Sequence, residues 1–178
     1  MRMRSAVLAL VIVAHAGVGQ AQQTGYIWAG GGMAVPTGDA GDALEAGGWG
    51  TFGAGWNLKS MKGLPLQGEV QMGSNSAKVG SGSTSYNAFF ANASYTFNPE
   101  RKVNASVGGG LGSLSSKPKG GSSSSDMAYQ FWGGLGWNAS AKWGLWGTVG
   151  YISAGDGASK MTLMPIGAGI TFNLGGTP

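Results

Sequence analysis

The chain has 178 residues, among them 36 Gly, one His and no Cys. Charged residues are only 10% and apolar residues 42%, whereas an ordinary soluble domain carries about 25% charge. Disulfide frameworks, Fe–S clusters, CxxC redox sites and Cys-ligated zinc are excluded by the missing thiols. A disordered tail, which is charge-rich and aromatic-poor, is excluded by the 7 Trp, 6 Phe and 5 Tyr.

Residues 1–21 read as a cleaved secretory signal. Arg2 and Arg4 form its basic start, Ala6 to Ala14 its apolar run, and Gly19-Gln20-Ala21 puts small residues at −3 and −1 of a cleavage site. The run is far short of the roughly 20 residues that a membrane-spanning helix needs. The mature chain is then 22–178. His15 leaves with the signal, and the loss of Arg2 and Arg4 lowers the net charge from +4 to +2. No cluster of Lys and Arg interleaved with aromatics follows, so nucleic acid is not an expected partner.

From residue 22 onward the apolar pattern has period two, the mark of half-exposed strands. Strands are expected at 24–35, 47–57, 64–76, 84–97, 102–114, 127–138, 142–154 and 160–173. In the first, Ile27, Ala29, Met33 and Val35 compete with Tyr26, Trp28 and Ala34 for the apolar face. In the third, Leu64, Leu66, Val70 and Met72 share one face, leaving Gln67, Glu69 and Gln71 on the other. The fourth sets Phe89, Ala91, Ala93, Tyr95 and Phe97 against Phe90, Asn92 and Ser94. The fifth sets Val103, Val107 and Leu111 against Asn104 and Ser106. In the sixth, Met127, Tyr129, Phe131, Leu135 and Trp137 oppose Gln130 and Trp132.

An aromatic followed by Asn closes every second strand: Trp56-Asn57, Phe97-Asn98, Trp137-Asn138 and Phe172-Asn173, with Asn spacings of 41, 40 and 35 residues. A unit of about 40 residues with two strands and two connections is a hairpin repeat. Four units predict an all-β, eight-stranded antiparallel up-and-down barrel. The connections after the aromatic-Asn sites are mostly short. The opposite ones, at 36–46, 77–83, 115–126 and 155–159, are mostly longer and rich in Ser, Gly and Asp, the asymmetry of transmembrane barrels. Trp56, Phe97, Trp137, Trp143 and Phe172 then form one girdle at the membrane interface, with Tyr129 and Tyr151 candidates for the other.

The stretch Gly25-Tyr26-Ile27-Trp28-Ala29-Gly30-Gly31-Gly32, followed by Val35-Pro36-Thr37-Gly38-Asp39, resembles the first strand and loop of the small eight-stranded outer-membrane barrels of OmpA, OmpX and OmpW type. Pro165 to Asn173 is similar to their last strand, except that Leu174 to Pro178 follow Phe172 where these barrels usually end on an aromatic. The resemblance implies an outer-membrane location and a monomer contacting lipid, lipopolysaccharide and the assembly machinery. It implies a structural or surface-interaction role without catalysis or cofactor. A narrow channel or binding cavity for small, partly apolar solutes, and a soluble secreted β-sandwich, are the alternatives.

Chemistry is sparse. With His15 removed, no histidine remains to activate a serine or to ligate a metal. The runs Gly30–Gly32 and Gly108–Gly110 lack the phosphate-loop template, and Asp39, Asp42 and Glu45 do not match a calcium loop. Glu69 is the one acid in a strand interior. Facing inward with Gln67 and Gln71, it requires a partner, and Lys102 or Arg101 is expected to supply an ion pair, the alternative being a gate or binding residue.

Overall fold

The computed structural model describes residues 24–57, 65–157 and 160–174. The signal segment 1–21, Leu64, and Lys59 and Lys62 of the second connection lie outside these residues. Eight strands follow one another: β1 (Thr24–Thr37), β2 (Gly47–Asn57), β3 (Pro65–Ser76), β4 (Ser83–Phe97), β5 (Val103–Pro118), β6 (Ser124–Asn138), β7 (Trp143–Ala154) and β8 (Met161–Asn173). Each pairs antiparallel with the next, and β8 returns to β1 with Met33 opposite Ile166, closing the barrel. Closure leaves no unpaired edge, which disposes of the sandwich alternative.

The strands depart from the expected bounds mainly at the long-loop end. β5 runs on to Pro118 and β6 begins at Ser124, beyond the point where apolar alternation stops. Pairing continues there through serines: Ser115 Oγ donates to Ser125 Oγ at 3.0 Å, and the Ser116 and Ser124 hydroxyls share a bond of 3.0 Å. The connection after β1 holds one short helix, α1 (Gly38–Ala43), whose six residues carry no apolar periodicity. It lies against β8 and β1. The Thr162 hydroxyl donates to the Thr37 carbonyl beside it.

Alternation sorts the side chains as the period required. Ile27, Met33, Phe52, Leu66, Met72, Val107, Leu111, Phe131, Leu135, Val149, Ile166 and Ile170 are exposed on the outer surface. The competing faces of β1 are resolved by room inside. The Trp28 ring occupies the space that a side chain at Gly53 would fill, and Tyr26 does the same over Gly55. Trp132 covers Gly108, Trp146 covers Gly30 and Gly169, and Trp49 covers Gly167. Inward glycines on one strand thus seat inward aromatics of another, which keeps the coiled sheet closed without crowding.

The Asn of the hairpin repeat braces the short turns. Asn138 Nδ2 donates to the carbonyls of Pro99 at 3.2 Å and Arg101 at 2.9 Å, and Asn173 Nδ2 to that of Ala141 at 3.0 Å. Asn98 instead takes a left-handed conformation, φ 50°, which Asn tolerates better than most residues. Each amide satisfies carbonyls that a tight turn leaves unpaired.

Candidate functional site

The interior has two unlike halves. Toward the long loops it is an apolar plug of Ala34, Tyr86, Phe90, Leu114, Ile152 and Leu163, all nearly or fully buried. Toward the short turns it opens into a cavity of about 680 Å³, walled by Tyr26, Trp28, Trp132 and Trp146 and reaching Pro99, Glu100, Ser140 and Asn173 at its mouth. Such a volume is ordinary for a small-molecule site.

A polar layer separates the halves. Period two on β3 turns Gln67, Glu69 and Gln71 into the lumen, and the barrel's curvature brings residues of four other strands to them. Glu69 Oε1 accepts from Thr51 Oγ1 at 2.6 Å and Gln71 Nε2 at 3.0 Å, while Oε2 accepts from Asn92 Nδ2 and Gln130 Nε2, each at 2.7 Å. An ionised carboxylate has about four acceptor positions, and all are taken. The donors are themselves tied together. Gln71 donates to Gln130 Oε1 at 2.8 Å and accepts from Trp49 Nε1 at 2.9 Å, and Gln130 donates to Asn92 Oδ1 at 2.8 Å. Gln67 stands one step nearer the mouth, donating to the Tyr26 hydroxyl at 2.7 Å and to Ser94 Oγ at 2.9 Å.

The expected cationic partner of Glu69 is therefore replaced by four neutral donors. Lys102 lies beyond the Val103–Trp137 rung that starts β5, and its Nζ rests 5.7 Å from the centroid of the Trp137 ring. Arg101 is exposed in the short turn, its N–H donating to the Asn98 carbonyl at 3.0 Å. Trp49, Thr51, Asn92 and Gln130 complete the cluster. Alternation had already turned Asn92 and Gln130 inward, but pairing across a lumen depends on the stagger of the strands.

The aromatics of the short-turn end gather as a set. Phe97, Trp137, Trp143 and Phe172 are exposed on the outer surface and Trp56 is half-buried. Trp137 and Trp143 meet edge to face at 6.4 Å, and Trp143 stands opposite Phe172 in the ladder. Nearer the long loops, Tyr129 and Tyr151 lie 6.4 Å apart.

A closed eight-stranded antiparallel barrel with an apolar outer band and a polar lumen layer is the architecture of the small outer-membrane β-barrels. Solved structures of such proteins match it. Neisserial surface protein A aligns over 87% of this chain and 99% of its own, with TM-score 0.64 and 18% identity. Ail, the attachment invasion locus protein of Yersinia pestis, aligns over 84% of this chain and 97% of its own, with TM-score 0.51 and 14% identity. Ail in complex with the heparin analogue sucrose octasulfate covers 85% and 100%, with TM-score 0.52 and 15% identity. No protein-family model matches the chain, and no curated protein matches it by sequence.

Proposed function

We propose that the chain is an integral protein of a bacterial outer membrane, a monomer that serves a structural or surface-interaction role and carries out no catalysis. The observation that carries this reading is the outer surface. Large apolar side chains such as Phe131, Leu135 and Leu111 are more than half exposed around a sheet with no edge, a surface that water disfavours and lipid accepts. In this reading Trp56, Phe97, Trp137, Trp143 and Phe172 lie at the periplasmic headgroup level, and Tyr129 and Tyr151 toward the outer leaflet. The short turns face the periplasm and the long loops the exterior, beside lipopolysaccharide, after delivery by the assembly machinery. The surface-protein and attachment designations of the two similar barrels support an outward-facing role.

The plug of Phe90, Leu114, Ile152 and Leu163 favours this role over a through-channel, since eight strands enclose little more than their own side chains. The deciding experiment is electrophoresis of the mature protein folded in detergent, with and without boiling. The expected result is a shift in mobility on heating and loss of solubility once detergent is removed. A product that stays monodisperse in plain buffer and does not enter liposomes overturns the reading.

A further inference from the structure

We propose that the cavity at the short-turn end binds a small quaternary-ammonium cation. Among the described residues, the two with formal charge that line it are Glu69 at the inner end and Glu100 at the mouth, and both are acidic. Of the described cations at the same end, Lys102 sits against Trp137, and Arg101 and Lys142 are exposed in their turns. A cleft lined by one sign of charge focuses the field and concentrates the opposite sign.

The hydrogen bonding at Glu69 selects among cations. Thr51, Gln71, Asn92 and Gln130 occupy the four acceptor positions of its carboxylate. Neutral donors satisfy its lone pairs without cancelling its charge. A primary amine would have to displace one of them to pair directly. A quaternary ammonium has no N–H to satisfy, so it takes the electrostatic attraction and leaves the network intact.

The walls supply the other half of such a site. A side chain at Gly53 would meet the Trp28 ring and the Gly68 carbonyl, and Gly53 is the ladder partner of Glu69. The Trp28 ring therefore lies at the rung of the carboxylate. Tyr26 is next to it at 5.8 Å between centroids, and Trp132 and Trp146 stand on other strands of the same cavity. Aromatic faces around a desolvated cation are the usual means of holding a quaternary ammonium.

The test compares choline with its uncharged carbon isostere, 3,3-dimethylbutanol. Both are titrated calorimetrically into the folded barrel in a non-ionic maltoside detergent, because zwitterionic detergents carry a competing headgroup. Choline is expected to bind at least about tenfold more tightly than the isostere. E69Q is expected to remove that preference while keeping the heat-dependent gel shift, and W132L to weaken choline without abolishing folding. Equal affinities for the two probes, or heat of binding from neither, overturn the proposal, and this comparison uses the unaltered protein whether or not E69Q folds. Loss of binding in a protein that still shows the gel shift leaves the membrane-barrel reading standing. Repeating the titration in phosphatidylglycerol and phosphatidylcholine vesicles assigns the source. Choline binding pre-empted by phosphatidylcholine points to a lipid headgroup, and undiminished binding to a free solute.

Discussion

Gln130 on β6 donates from Nε2 to Glu69 Oε2 on β3 at 2.7 Å, joining across the lumen two strands that share no ladder. Together with Asn92 and Gln71 it makes the polar layer a cross-brace of the barrel, beyond what neighbouring ladders supply. E69A strips the acceptor from four buried donors, and a cost of about 3 kcal/mol is expected. Q130A removes the bonds donated to Glu69 and Asn92 and the acceptor of Gln71, and is expected to cost about 2 kcal/mol. The double variant should show coupling of about 1–2 kcal/mol, since both sites belong to one network. Urea titration of the folded barrel in lipid vesicles measures all three as shifts in midpoint at unchanged slope.

Glycines differ sharply in what a methyl group would meet. A Cβ at Gly169 would run into the Ala29 carbonyl, the Trp146 ring and the Gly30 backbone, whereas at Gly68 on the outer face nothing lies within 4 Å. Because the obstruction at Gly169 includes backbone of the paired strand, it cannot be relieved by a rotamer change alone. G169A is expected to destabilise by about 1–3 kcal/mol, as overpacking does. G68A is expected to be neutral or to stabilise by up to about 1 kcal/mol through the unfolded chain. The same vesicle titration separates them, and equal effects would contradict the seating of Trp146 on β8.

Much of this barrel is written in alternation. On β3 the period alone turns Gln67, Glu69 and Gln71 inward, and on β4 it turns Asn92 inward and Phe97 outward. Every one of the eight strands follows from such runs and from the aromatic-Asn repeat. The partner of Glu69 was not legible, because it depends on the stagger of strands around the cylinder, a property of closure that no local pattern contains. Lys102 looked suitable by sequence position, yet the turn carries it onto the ring of Trp137. The helix Gly38–Ala43 was also hidden, since six residues of Gly, Ala and Asp bury no face of their own. In β5 and β6 the serine-paired extension has no apolar signal, only the continuing ladder.

Val107 tests the lipid-facing assignment. It is the ladder partner of Gly133, which lies midway between Trp137 and Tyr129 along β6, and it is exposed on the outer surface. If that surface meets hydrocarbon, V107R places a charge near the bilayer centre. A loss of about 2–4 kcal/mol is expected in vesicles. Val79 is 90% exposed in the connection between β3 and β4, and V79R there should change stability by no more than about 0.5 kcal/mol. A negligible effect at Val107 would mean that water, not lipid, covers this face.

The two halves of the lumen also predict different responses to truncation. Phe90 and Leu163 are both fully buried in the plug, and they fill the cross-section that the long-loop half must open for solutes to pass. Gln71 belongs to the polar layer beneath them. Reconstituted in planar bilayers, the unaltered barrel is expected to give no discrete current steps. The double variant F90A/L163A removes the two fillers and is expected to give steps, at a stability cost of several kcal/mol for the two cavities, about 3–5 for Phe and 2–5 for Leu at the upper end of core truncations. Q71A opens the polar layer but leaves the apolar barrier in place, so it should remain silent although it too is destabilised. The pairing matters because a leaky, partly unfolded barrel would conduct in either variant, whereas a hydrophobic seal yields current only when its own residues are cut back. Steps from Q71A and silence from F90A/L163A would place the barrier at the hydrogen-bonded layer instead.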